Sequence, residues 1–169
     1  MMTSTSTSTT TYTRTQTATH LADVLMSTIA QILISLGIDT TRYFKRIQTD
    51  ERAIKAWIEE GSLKTLHVEC TSPGGTLLKT FQFDVAYTSA NVGDTAFTNT
   101  QAQALRYMAK VGSVPRGTTY RLVCTFNFTH STQDGWSTTS LASTAGLTSR
   151  SIGTLASGPH ASTSTRIYS

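Results

Sequence analysis

The stretch HLADVLMSTIAQILISLG, residues 20–37, has the most regular hydrophobic pattern in the chain. Its apolar side chains recur at the i, i+3, i+4, i+7 spacing of an amphipathic helix. This set comprises Leu21, Val24, Leu25, Ile29, Ile32, Leu33 and Leu36. Thr19 fits an N-cap and Gly37 a C-terminal stop. Because Asp23, Ser27, Gln31 and Ser35 interrupt the stretch, it predicts a core helix and not a membrane span.

The residues before this helix are unusual, because threonine occupies every odd position from Thr3 to Thr19. Strict alternation of a β-branched residue favours a strand. Residues 3–10 have no apolar side chain to anchor them, so we predict a disordered tail over residues 1–10 and a polar edge strand over residues 11–17. Main-chain hydrogen bonds alone would hold such a strand, so it would be displaced at low cost. The polar N-terminus has no secretory signal, which predicts a cytoplasmic protein.

The next part of the chain predicts a second helix and a hairpin. Residues 50–60 have an apolar face, made of Ala53, Ile54, Trp57 and Ile58. Alternating patterns over residues 64–70 and 77–87 flank the turn sequence SPGG at 72–75. They predict two antiparallel strands with one apolar face.

The last third of the chain predicts a third helix and then mostly strand. Thr98 fits the start of a capping box for this helix, and alternation over residues 118–128 predicts a long strand. Residues 129–169 are rich in Ser, Thr and Gly, and their apolar residues are too widely spaced to build an independent core. We therefore predict a segment that wraps over the rest of the domain, with strands over residues 149–156 and 161–168.

The composition excludes several classes of protein. Only 14% of the 169 residues are charged, whereas Ser and Thr together account for 53 of them. This balance argues against a coiled coil and against a basic nucleic-acid-binding domain. The net charge of +4 is spread without a basic run, so direct nucleic-acid binding is not predicted. The length fits one domain.

The sequence has no recognisable catalytic or metal-ligating pattern. It lacks a phosphate-binding loop, a dinucleotide-binding fingerprint, a nucleophile elbow, HExxH and CxxC. The four histidines do not have the spacing of a metal-binding pair. Cys70 and Cys124 fit two small buried hydrophobes in a reducing compartment. We predict no enzyme activity, no cofactor and no metal.

The order of these elements is similar to that of a HORMA domain, especially to the smaller bacterial HORMA proteins. The resemblance lies in four segments, TATHLADV at 17–24, AWIEEGSL at 56–63, SVPRGTTYR at 113–121 and ASGPHAS at 156–162. It implies an α+β fold in which three helices back an antiparallel sheet. It also implies one domain over residues 11–169, in which residues 129–169 form a wrapping C-terminal safety belt.

The resemblance further implies a function. HORMA domains bind short closure-motif peptides, which here would come from phage, host or a second HORMA protein. In bacteria the closed, peptide-bound form binds and activates a cGAS-like nucleotidyltransferase in anti-phage (CBASS) signalling. An AAA+ remodelling ATPase extracts the N-terminus and reopens the domain. The resemblance implies a protein that does not bind a membrane.

The resemblance also predicts where a peptide would bind. The strand over residues 118–128 is the predicted receiving edge, the third helix flanks it, and Trp136 anchors the belt. The predicted peptide-binding residues are Leu105, Met108, Tyr120, Leu122, Val123, Cys124, Phe126, Trp136 and Leu147. The polar strand over residues 11–17 would pair with the hairpin edge near residues 81–87 in one state, and a tail strand would replace it in the other.

A second interpretation stays open on the sequence alone. The Ser/Thr-rich ends could be soluble tails on an α+β binding module with another task. Such a module would be a structural, surface or phage-associated component without a signalling role.

Overall fold

The structure is a computed structural model and describes residues 2–88 and 97–169. In these residues three helices pack on an antiparallel sheet of six strands, so the predicted α+β fold class is confirmed. The helices are α1 (Met2–Leu36), α2 (Thr41–Glu59) and α3 (Gln101–Met108), and a 3₁₀ turn follows at Ala109–Val111. The strands are β1 (Leu63–Thr71), β2 (Leu77–Tyr87), β3 (Thr98–Asn99), β4 (Thr119–Phe126), β5 (Ser149–Ser157) and β6 (Ala161–Tyr168). They lie in the order β3-β5-β6-β2-β1-β4.

α1 forms the centre of the core. The side chains of Leu21, Leu25, Ile29 and Leu33 are all 0% exposed, as the hydrophobic pattern predicts. Within α1, Thr13–Leu36 is long and apolar enough to cross a membrane. However, 61% of its most apolar window is buried inside the protein, which is the behaviour of a core helix.

α1 begins much earlier than predicted. The polar edge strand predicted over residues 11–17 is wrong, because these residues continue α1. The Thr17 hydroxyl donates a hydrogen bond of 2.9 Å to the main-chain oxygen of Thr13. Such local bonds satisfy a threonine side chain inside a helix, so a period-two threonine pattern does not require a strand. Thr19, the predicted N-cap, also lies within α1, as do residues 2–10, where the sequence predicted a tail.

The other two helices also begin differently from their predictions. α2 begins at Thr41 and not near residue 50, and the Asp39 carboxylate accepts a hydrogen bond of 3.0 Å from the Thr41 N–H. The hydrogen bonds from Thr41 lower the pKa of Asp39. α3 begins at Gln101, whose N–H donates to Asn99 Oδ1 at 2.8 Å. The predicted capping box is wrong because Thr98 lies in β3.

The two C-terminal strands complete the sheet, and both were predicted. β5 and β6 match the strands predicted over residues 149–156 and 161–168. β6 pairs with β2 antiparallel over its whole length, from Ala161 opposite Tyr87 to Tyr168 opposite Thr80. In this structure a tail strand therefore occupies the β2 edge.

The contact between β2 and β6 contains buried hydroxyl groups. Thr163 and Thr165 are 1% and 2% exposed, and they pair with Val85 and Phe83. The Oγ1 atoms of both threonines have no hydrogen-bond partner among the described residues. A buried polar group without a partner costs roughly 1–3 kcal/mol. Valine, which has the same shape, would therefore make this contact more favourable.

Candidate functional site

The outer edge of β4 is unpaired. β4 is the terminal strand of the described sheet, next to β1. The Asn127 N–H donates inward to the Ser62 oxygen at 2.9 Å. By the alternation of an antiparallel ladder, the N–H and C=O groups of Leu122, Cys124 and Phe126 point outward. No further strand pairs with them among the described residues, so this edge is a template for another extended chain.

Residues 127–148, which we call the wrapping segment, leave β4 and pass around this edge. On the helix side, Trp57 Nε1 donates to the Ser131 oxygen at 2.8 Å. Arg46 Nη2 donates to the Gly135 oxygen at 2.9 Å. Two side chains of α2 therefore hold the main chain of the wrapping segment in place.

Glu60, just after α2, adds a charged contact on the same side. Its carboxylate accepts hydrogen bonds from the Ser62 hydroxyl at 2.6 Å and from the Ser131 N–H at 3.0 Å. Burial alone would raise the pKa of Glu60, but these hydrogen bonds outweigh it and the pKa is lowered. The group is therefore ionised at neutral pH, where it binds the start of the wrapping segment.

On the opposite face of the sheet, an ion pair holds the wrapping segment. Glu69 of β1 is 2% exposed and pairs with Arg121 of β4. Glu69 Oε2 accepts a hydrogen bond of 2.7 Å from the Ala142 N–H, and Arg121 Nη2 donates to the Ser140 oxygen at 2.6 Å. The wrapping segment is thus bound on both faces of the sheet and encloses the open edge of β4.

Two adjoining cavities of about 290 and 390 Å³ lie between β4 and the wrapping segment. We call them together the edge groove. Both are lined by Leu122, Trp136, Ser137 and Thr139. The Trp136 ring packs edge-on against Trp57, with the centroids 5.2 Å apart. The Nε1 of Trp136 is buried and has no hydrogen-bond partner among the described residues.

The two ends of the edge groove differ in chemistry. One end is aromatic, because Phe126 stacks on His130 at 3.6 Å and meets Trp57 at 4.9 Å between ring centroids. The other end is cationic. There the Arg42 guanidinium lies 4.8 Å from the Tyr120 ring centroid and donates to the Tyr120 oxygen at 2.7 Å.

The structure brings most of the predicted site residues together. Tyr120, Leu122, Val123, Cys124, Phe126 and Trp136 all line the edge groove. Leu105 and Met108 do not, because they line a separate cavity of about 190 Å³ with residues of α1 and β2. The prediction that the third helix flanks the edge strand is wrong: α3 packs against β5, at the other side of the sheet. Leu147 lies in a turn and lines neither cavity of the groove.

Several groove residues were missed by sequence reasoning. Arg42 and Arg46 were treated as scattered surface charge, yet both line the groove together with Asp50. Their i, i+4, i+8 spacing in α2 places them on one helix face, and this signal could have grouped them. Glu69 alternates with the apolar residues of its strand, and alternation alone would place it on the polar face of the hairpin. It is buried because the wrapping segment covers that face.

The described residues offer no metal centre and no reactive thiol. No three His, Cys, Asp or Glu side chains in this part of the chain could together hold a metal ion. Cys70 and Cys124 are free thiols. Burial raises the pKa of Cys70 to about 12 and also raises the pKa of Cys124, so both stay protonated at neutral pH.

A sequence comparison identifies the family. The family model described as Bacterial HORMA domain 2 matches residues 6–169. The chain belongs to this bacterial HORMA family. The match extends over nearly the whole sequence and confirms the resemblance drawn from the four segments. The sequence matches none of the curated proteins.

Solved structures share the HORMA fold. A chain of the mitotic checkpoint complex is 12% identical with a TM-score of 0.73, and the match covers 89% of this chain and 97% of that one. C. elegans HTP-2 bound to the HIM-3 closure motif is 15% identical with a TM-score of 0.67, covering 88% of each. A chain of the E. coli MS115-1 HORMA:CdnC:Trip13 complex is 11% identical with a TM-score of 0.59, covering 91% of this chain and 88% of that one. Identities this low show a common fold.

We expect His67 to make the stability of this HORMA domain depend on pH. Burial lowers the pKa of His67, although Glu69 and Asp84 oppose the shift. The unfolded chain therefore takes up a proton at a higher pH than the folded chain, and stability falls as pH drops below about 6.5. Urea unfolding at several pH values between neutral and mildly acidic should show a flatter dependence for His67→Gln than for the wild type. Equal slopes in the two proteins would contradict this assignment.

Proposed function

We propose that this HORMA domain is a signalling switch that holds a closure-motif peptide in the edge groove. The observation that carries the proposal is the unpaired outer edge of β4, enclosed on both faces by the wrapping segment. A peptide in extended form adds to such an edge by main-chain hydrogen bonds, and side-chain pockets give it specificity. Leu122, Cys124 and Phe126 supply the main-chain groups. Residues 129–169 act as the belt of a single domain over residues 11–169.

Trp136 fits the role of anchor in this proposal. Its ring packs on Trp57 at one side of the groove, while its Nε1 is buried without an acceptor among the described residues. A shift of the ring on peptide binding would bring that donor to a main-chain oxygen of the peptide. Tryptophan is favoured at interface centres because it combines a large apolar surface with one hydrogen-bond donor.

The partners in this proposal follow from the family. The closed, peptide-bound form binds and activates a cGAS-like nucleotidyltransferase in cytoplasmic anti-phage defence, and the peptide comes from phage, host or a second HORMA protein. An AAA+ ATPase reopens the domain from its N-terminus, where residues 3–10 are all Ser and Thr and offer a small, uncharged segment to grip. The HORMA:CdnC:Trip13 complex, which contains a chain of the same fold, supports this choice of partners.

Selection of a random peptide library against the full chain tests the proposal. We expect specific binders, whose dissociation rate rises about tenfold or more in Trp136→Ala because the anchor and its hydrogen bond are lost. Trp136→Phe is the matched control, since it keeps an aromatic ring and removes the indole N–H. Its dissociation rate should lie between those of the wild type and Trp136→Ala. Surface plasmon resonance with one selected peptide measures all three.

The same peptide tests the signalling step. Added together with this HORMA domain, it should increase product formation by a cGAS-like nucleotidyltransferase, whereas peptide or HORMA domain alone should not. A library that yields no binder, or binders that dissociate equally fast from all three proteins, would contradict peptide capture in the edge groove.

A further inference from the structure

Arg42 is the cation of the edge groove whose charge is unpaired within the described residues. The two other arginines that line the groove, Arg46 and Arg121, each form an ion pair with an acidic side chain. Arg42 instead donates one hydrogen bond, of 2.7 Å, to the Tyr120 oxygen. A guanidinium carries five N–H donors in a fixed plane, so most of the hydrogen-bonding capacity of Arg42 is unused.

Arg42 also marks the place where the open edge ends. The outward groups of β4 alternate, so the outward carbonyl that precedes Leu122 is that of Tyr120. Because Arg42 already binds this oxygen, a guest strand can pair with Leu122, Cys124 and Phe126 and then meets the guanidinium. The end of a bound peptide would lie beside a positive charge.

The end of the groove farthest from Arg42 is apolar and suits an apolar side chain. There Trp57, Phe126 and His130 form an aromatic cluster, and Trp136 closes over it. A guest that spans the groove meets apolar rings at one end and a guanidinium at the other. The group that matches a guanidinium best is a carboxylate, which accepts two parallel hydrogen bonds from it.

We propose that the edge groove selects peptides that present a carboxylate to Arg42 and an apolar side chain to the aromatic cluster. This inference rests on the proposed function and adds the chemical class of the guest. The carboxylate is either an Asp or Glu side chain or the C-terminus of the peptide, and both make the same contact.

Two random peptide libraries separate these sources. One presents peptides with a free C-terminus, and the other fuses their C-terminus to a carrier protein. Both are selected against the full wild-type chain, Arg42→Glu and Arg52→Gln. With the wild type, Asp or Glu enriched in both libraries identifies a side-chain carboxylate, whereas specific binders from the free-terminus library alone identify the C-terminus.

Arg42→Glu is expected to remove the preference for peptides with a carboxylate and to select peptides enriched in Lys and Arg instead. For a single selected peptide, Arg42→Gln should weaken binding about threefold to tenfold at low salt, and less at high salt, because the pair is exposed. Arg52→Gln removes the same charge from the same helix but at a different cavity, so it should leave the preference unchanged.

Binders that show no carboxylate preference, and that bind Arg42→Glu as tightly as the wild type, would overturn this inference and leave peptide capture intact. A wild-type chain that selects no peptide from either library would instead contradict the proposed function, and this inference with it.

Discussion

A disulfide that joins β2 to β6 is expected to slow peptide capture by about a hundredfold or more, because the open form that the proposed switch requires would then no longer be populated. Ala86→Cys and Ser162→Cys place the two thiols at directly paired positions. Paired antiparallel residues have Cα atoms about 4.5–5.5 Å apart, which suits a disulfide. If a peptide enters the edge groove only after β6 leaves β2, the linked protein cannot admit it.

Association of a selected peptide is measured under oxidising and reducing conditions. Reduction should restore the wild-type rate, and each single-cysteine variant should behave like the wild type under both conditions. The pair Ser151→Cys and Arg166→Cys is the matched control, since it joins β5 to β6 within the tail and leaves the β2 edge free to open. An oxidised β2–β6 link that leaves the association rate unchanged would show that capture does not require this strand to move.

Trp57→Ala is expected to lower the free energy of unfolding by about 3–5 kcal/mol. The Trp57 side chain is 2% exposed and packs against Phe126, His130 and Trp136. Its Nε1 also donates a hydrogen bond to the Ser131 oxygen. Alanine would leave a cavity beneath the edge groove and would free the start of the wrapping segment. Urea unfolding followed by circular dichroism measures the loss.

Trp57→Phe separates packing from the hydrogen bond. It keeps an aromatic ring in the cluster and removes the donor to Ser131, so we expect a loss of about 1–2 kcal/mol. If Trp57→Ala lowered the free energy of unfolding no more than Trp57→Phe does, the packing of the Trp57 ring would not contribute the stability that its contacts indicate.

Elements whose apolar residues recur at a regular spacing could be predicted from the sequence. The segment stabilised by local side-chain to main-chain hydrogen bonds could not. The apolar stripe of α1 identified the core helix, and alternation identified the hairpin and β4. Even the weak patterns of β5 and β6 were found. The alternating threonines before Ala18 led to a wrong strand prediction. A period of two indicates a strand only when the threonine hydroxyls have no hydrogen-bond acceptor within the same helix. In α1 the main-chain oxygen four residues back is that acceptor for Thr17.

The floor of the edge groove could be predicted from the sequence, but its walls could not. The strand that forms its floor lies in one continuous segment, so Leu122, Cys124 and Phe126 could be named from alternation. Its walls come from α2 and the wrapping segment, which are far apart in sequence. Arg42 contacts Tyr120 across 78 positions, and no local pattern records such a contact. Leu105 and Met108 were misplaced because sequence order does not give the position of α3 along the sheet.

Thr163 and Thr165 lower the free energy needed to separate β6 from β2. When the strands separate, their hydroxyls gain water as a hydrogen-bond partner, which offsets part of the loss of buried apolar surface. Valine at these positions would raise the free energy needed to separate β6 from β2. If the proposed switch operates, this small imperfection in the core lies where the two strands must come apart.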